Sequence, residues 1–88
     1  MTFKLKIKKR TLKFIEKLSK KEKQQLKVLF EKLKSEPIPS RDYDVVKLRG
    51  LQNHFRIRIG TLRIVYEVLW EEKQIIIHFV GPRGKAYK

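Results

Sequence analysis

Eighty-eight residues make a single domain, residues 1–88, with a core large enough to fold alone. Lys and Arg number 23 against 9 Asp and Glu, and the formal net charge of +14 points to nucleic acid, an anionic surface or an acidic protein as partner. Cysteine is absent, which excludes disulfides, thiol catalysis and zinc–thiolate sites; without a long apolar run or a signal-like N-terminus, a cytoplasmic chain that uses no membrane is expected.

Phe3, Leu5 and Ile7 alternate with Lys4, Lys6 and Lys8, the period-2 pattern of a strand with one apolar face. From Thr11 the period changes. Leu12, Ile15 and Leu18 recur at helical spacing with Phe14 four before Leu18, and Thr11 is the expected N-cap of this short helix. Ser19 then caps a second helix, with Glu22 in the capping-box position and Leu26, Leu29, Phe30 and Leu33 as its apolar stripe. The two make a helical hairpin, ended by Pro37 and Pro39. Val45, Val46 and Leu48 form a short strand, and the run Lys47 to Gly50, KLRG, leads through a loop into the most patterned part of the chain.

That part is His54 to Trp70, HFRIRIGTLRIVYEVLW, which reads as a β-hairpin. Gly60-Thr61 suits a two-residue type II′ turn, and counting outward sets Ile59 opposite Leu62, Arg58 opposite Arg63, Ile57 opposite Ile64, Arg56 opposite Val65 and Phe55 opposite Tyr66. One face is apolar. The other gathers Arg56, Arg58 and Arg63, and like charges placed directly opposite oppose pairing unless a polyanion gains from their concentration. Beyond Trp70, Glu71 and Glu72 are the expected turn and Lys73 to Val80, KQIIIHFV, the last strand. A two-residue loop sets Val65 opposite His78 and Arg63 opposite Val80, with Ile75, Ile77 and Phe79 in the core and His78 among the arginines. Arg83, Lys85 and Tyr87 of the tail then fold back over that face.

The two histidines are not at a metal-ligand spacing and the acids are scattered, so no metal and no cofactor is expected. No Gly-rich phosphate loop or nucleophilic serine motif is present either. What remains is the arginine face. Arginine grips phosphate through a planar fork and stabilises charge that develops on phosphorus. RNA carries its own nucleophile, the 2′-hydroxyl, so an enzyme has only to align it, assist proton transfer and stabilise the pentacoordinate phosphorus. Candidate proton carriers are Tyr87, Lys85 and His78; concentrated positive charge favours deprotonated Tyr87 and Lys85, as a general base requires. Tyr66 and Tyr43 read as packing residues.

The order of elements, with KLRG at Lys47 to Gly50, the FRIRIGTLRIVYEV segment and the GPRGKAY tail, resembles the archaeal toxins of the RelE family, within the RelE/ParE superfamily, over essentially the whole chain. The resemblance implies an α+β fold, an N-terminal strand and helical hairpin followed by a mainly antiparallel sheet packed on the helices. It implies a type II toxin that cuts mRNA in the ribosomal A site by metal-independent 2′-hydroxyl attack and is neutralised by a RelB-like antitoxin. By position, Arg63 and Arg83 match the phosphate-stabilising arginines and Tyr87 the near-terminal tyrosine, with Lys85 the other candidate for proton transfer. Arg56 and Arg58 stand where many members carry basic strand residues, often lysines, and Lys47 and Arg49 add to the RNA-binding charge. With no C-terminal helix after Lys88, inhibition is expected from an antitoxin segment that wraps the basic surface. Two other readings use the same charge: a ParE-like poison of a DNA topoisomerase, and a non-catalytic RNA- or ribosome-binding module.

Overall fold

Strands that are apolar on one face only need a second layer, and here the helices supply it. A computed structural model describes residues 2–82, so Arg83, Lys85 and Tyr87 lie outside the described residues. The elements run β1 (Lys4–Ile7), α1 (Lys9–Glu16), α2 (Lys20–Ser35), β2 (Asp44–Lys47), β3 (His54–Ile59), β4 (Leu62–Leu69) and β5 (Gln74–Pro82). They build one five-stranded sheet in the order β1-β5-β4-β3-β2. Pairing is antiparallel except at one edge, where β1 runs parallel to β5 with Ile7 beside Ile77. The α+β architecture is the expected one; the parallel edge makes the sheet mixed.

The core lies between α2 and one face of the sheet. Leu26, Leu29 and Leu33 meet Ile57, Ile64, Tyr66, Val68, Ile75 and Ile77, each no more than 1% exposed. Burying each such side chain contributes about 1.5–3 kcal/mol, so this layer outweighs any surface contact in the chain. Ser19 and Glu22 form the expected reciprocal capping box at the start of α2. At its other end Lys32 bridges Glu36 and Asp42 at 3.0 and 3.1 Å, which ties the proline connector to the helix. The Tyr66 hydroxyl donates to the Pro37 carbonyl at 2.7 Å and fixes the same connector to the sheet. Among the described residues no helix is long and apolar enough to cross a membrane.

The β3–β4 register is the one counted from the sequence, from Ile59–Leu62 through Arg58–Arg63 to Phe55–Tyr66. Gly60 takes a φ of +57° at the first turn position, which a side chain rarely tolerates and a type II′ turn requires. The β4–β5 register differs. Leu69 pairs with Gln74, so the loop has four residues, Trp70 to Lys73, and Lys73 closes it at φ +55°. A β-bulge follows: Tyr66 pairs with Ile77 but Val65 pairs with Phe79, leaving His78 as the extra residue. Arg63 therefore faces Gly81 and not Val80. The same bulge shifts the phase of alternation, so Val80 enters the core at 3% exposure and Phe79 leaves it. A Cβ on Gly81 would collide with the Phe79 ring, which is why glycine stands at this position.

In and just after α1, Phe14, Ile15 and Leu18 pack toward the core as expected, but Thr11 takes the inner place expected of Leu12. The helix starts at Lys9 with Lys8 as an N-cap that lends no side-chain bond, and Thr11 lies inside it. Thr11 is 5% exposed and donates its hydroxyl to the His78 carbonyl at 2.9 Å, while Leu12 is 43% exposed. β1 runs almost directly into the helix, so docking on β5 and not capping chemistry decides which side faces inward.

Two outcomes follow from these contacts. Tyr66→Phe is expected to lower unfolding stability by about 1 kcal/mol in denaturant titrations, since it leaves the Pro37 carbonyl without its donor. The backbone and hydroxyl of Ser19 hold the Glu22 carboxyl below the usual glutamate range. The stability this adds is fully present above that range and is lost as pH falls through the lowered folded value. Ser19→Ala should therefore flatten the acid limb of a thermal-midpoint against pH profile.

Candidate functional site

Alternation carries every residue between the core positions to the opposite face of the sheet, and three cross-strand rows build that face. The first row is Asp44, Arg58, Arg63 and Gly81, the second Val46, Arg56, Val65 and Phe79, and the third His54 beside Glu67. Ile76 is the β5 partner in that row, and the ring of His78, the unpaired bulge residue, reaches Glu67 from β5. The face thus runs from a doubly arginine end to a histidine–carboxylate end.

The two ends differ in how their charge is satisfied. Asp44 binds Arg58 through both Nε and Nη2 at 2.8 Å, a paired geometry that compensates one of the three guanidinium charges. Arg56 and Arg63 are only partly exposed, and the Nε of each is buried with no hydrogen-bond partner among the described residues. A buried guanidinium N–H without an acceptor is costly, and an anionic oxygen is the group that best relieves it. At the other end, Glu67 Oε1 lies 2.9 Å from His78 Nε2 and 3.7 Å from His54 Nε2, and the two imidazoles stack at 5.2 Å between centroids.

The structure therefore brings Arg56, Arg58 and Arg63 onto one surface, as counted. It does not bring Lys47 there: Lys47 pairs with Phe55 and so belongs to the opposite side of the sheet, and Arg49 is exposed in the following loop. The two histidines, not at a ligand spacing in the sequence, are brought together by the sheet. His54, Glu67 and His78 place one ligand-type atom each within 4.8 Å of one another. Two of this cluster's three members were countable as a pair, because the hairpin register already sets His54 opposite Glu67. His78 joins them from the bulge in β5. Tyr66, buried on the core side, has its phenol pushed up by desolvation and takes no part in proton transfer.

A family model described as the ParE toxin of the type II toxin-antitoxin system, parDE, matches residues 5–87. The RelE1 protein of Methanocaldococcus jannaschii is 40% identical over 88 residues, which cover 100% of this chain and 98% of that protein. Among solved structures, the archaeal RelE–RelB complex from Pyrococcus horikoshii OT3 is 35% identical with a TM-score of 0.88, covering 98% of this chain and 100% of that one. The intact E. coli RelBE toxin–antitoxin complex is 26% identical with a TM-score of 0.78, covering 97% and 100%.

Because Asp44 compensates one arginine, Asp44→Asn is expected to tighten binding of a single-stranded RNA oligonucleotide. The slope of log affinity against log salt should steepen by up to about 0.7, one phosphate contact, in fluorescence anisotropy over a salt series.

Proposed function

The chain belongs to the RelE/ParE family of type II toxin-antitoxin toxins, and on that premise we propose that it is a metal-independent mRNA endonuclease acting in the ribosomal A site. The observation that carries this reading is the pair of half-buried guanidiniums, Arg56 and Arg63, whose Nε groups lack an acceptor among the described residues. In the proposed reaction the 2′-oxygen of the substrate attacks the adjacent phosphorus in line with the 5′-oxygen. The 2′-O–P bond forms, the P–O5′ bond breaks, and the products are a 2′,3′-cyclic phosphate and a 5′-hydroxyl end.

Arg63 and Arg83 stabilise the charge that builds on the pentacoordinate phosphorus, and Arg56 and Arg58 bind the flanking backbone. Tyr87 removes the 2′-proton, with Lys85 as the neighbouring candidate, and the departing 5′-oxygen takes its proton from water; Lys47 and Arg49, at the far edge of the sheet, hold RNA or ribosome by charge. Such a mechanism asks the protein for alignment and electrostatics only. The neutralising partner is a RelB-like antitoxin, a reading supported by the complexes in which the archaeal and E. coli relatives were solved. Its inhibitory segment covers the basic surface and supplies acceptors to Arg56 and Arg63.

The description of the matching family model favours a second reading, a ParE-like poison of a DNA topoisomerase. Ribosomes halted on a defined mRNA, incubated with the chain in the presence of EDTA at a magnesium level that keeps them intact, separate the two. Cuts inside the A-site codon with cyclic-phosphate ends are expected, reduced by about a hundredfold or more in Arg63→Ala and Arg83→Ala, the size of loss seen when one charge-stabilising donor is removed. Tyr87→Phe should slow the cut without weakening binding. Bound chain with no new RNA ends, together with trapped topoisomerase–DNA complexes, would establish the second reading instead.

A further inference from the structure

We propose that His54, Glu67 and His78 form a binding site for a single divalent transition-metal ion of the zinc class, spanning β3, β4 and β5 at the end of the face remote from Arg58 and Arg63. The donors come from three adjacent strands and converge on one point: Glu67 Oε1 is 2.9 Å from His78 Nε2 and 3.7 Å from His54 Nε2, and all three ligand atoms fall within 4.8 Å of one another. Donors on a tetrahedral zinc, with bonds of about 2.0–2.1 Å, stand about 3.4 Å apart, so the cluster is already close to that spacing.

The tautomer of His54 is the decisive detail. Its Nδ1 lies 2.7 Å from the Gln52 carbonyl, an acceptor only, so Nδ1 carries the hydrogen and donates it. That makes Nε2 the nitrogen on the Glu67 side, 3.7 Å from Oε1, the position from which it can ligate a cation held between them. A ring N–H donated to a backbone carbonyl, with the other nitrogen left to bind the ion, is the usual second-sphere support of a metal-binding histidine. The backbone holds this geometry in place. Asn53 takes φ +61°, its carbonyl accepts from the Val68 amide at 2.9 Å and its side chain accepts from the Trp70 indole at 3.3 Å, so the Gln52–His54 corner is fixed against β4.

Two imidazoles and one carboxylate select a borderline ion such as zinc, cobalt or nickel over calcium or magnesium, which prefer oxygen throughout. The side chains of His54, Glu67 and His78 retain 16%, 24% and 12% exposure, enough for a solvent-derived ligand to complete the sphere. Lys8, Lys9 and Arg10 border His78 and oppose added positive charge, which makes the site one of modest affinity and favours an anionic oxygen in the remaining position. The role assigned to the ion is to clamp the bulged strand to its neighbours. It takes no part in the RNA chemistry proposed above, which operates with EDTA present.

The test is titration of the full, untagged, chelator-treated chain with Co²⁺, followed by displacement with Zn²⁺. One equivalent is expected to bind, with the intense visible absorption of a low-coordinate nitrogen–oxygen site, and affinity should fall about tenfold or more in both Glu67→Gln and His54→Gln. In the wild type, the His54 and His78 ring signals should shift together on Zn²⁺ addition and the thermal midpoint should rise. Absence of saturable binding, ring signals that do not move, or affinity unchanged in both variants would overturn the site.

Discussion

Everything on the working surface of this protein depends on burial being one-sided. Ile57, Ile64, Tyr66 and Val68 are driven against α2 by the hydrophobic effect, and a strand cannot bury them without turning every intervening residue the other way. Arg56, Arg58, Arg63 and Glu67 are fixed on the open face by their neighbours' apolarity and not by attractions of their own. The packing of the core is worth many times the cost of setting Arg58 opposite Arg63. The sheet therefore holds repelling charges at close quarters, and the repulsion becomes a standing affinity for anions.

The bulge at His78 modifies that rule locally. Without it the last strand would keep one alternation to its end and Phe79 would stay in the core. One extra residue inserts Val80 into the core and turns Phe79 over Gly81, while His78 completes a second polar cluster beside the first. The face consequently has two chemically distinct ends, linked through the Arg56–Val65 row. Asp44 adds a further asymmetry, because it quiets Arg58, whereas Arg56 and Arg63 each keep a buried Nε without an acceptor among the described residues.

What could be read before the structure was local. The capping box at Ser19, the Leu26–Leu29–Leu33 stripe and the β3–β4 hairpin each follow from spacing over a few residues and a turn whose geometry admits one register. The parts that escaped such reading are decided by distant contacts. Thr11 replaces Leu12 on the inner side of α1 because β5 supplies a carbonyl there, and β1 finds a parallel partner that no periodicity encodes. The four-residue loop was hidden because Lys73 adopts a left-handed conformation without a glycine to announce it, and the β4–β5 register moved with it. The arginine row and the His54–Glu67 pair needed only hairpin counting, whereas the place of His78 beside them rests on the β4–β5 register, which moved. Arg83, Lys85 and Tyr87 fall beyond the described residues.

The pairing of β1 with β5 has a kinetic side. β3, β4 and β5 meet through short loops and can zip up in sequence, but β1 docks on a strand almost the whole chain away. Closing so large a loop is entropically slow until the meander offers a finished edge. β1 and the α1 corner should accordingly be the last pieces to lock during folding and the first to release in native-state hydrogen exchange. The arginine rows on β3 and β4 would then form within the early meander, so the charge pattern precedes the completed sheet.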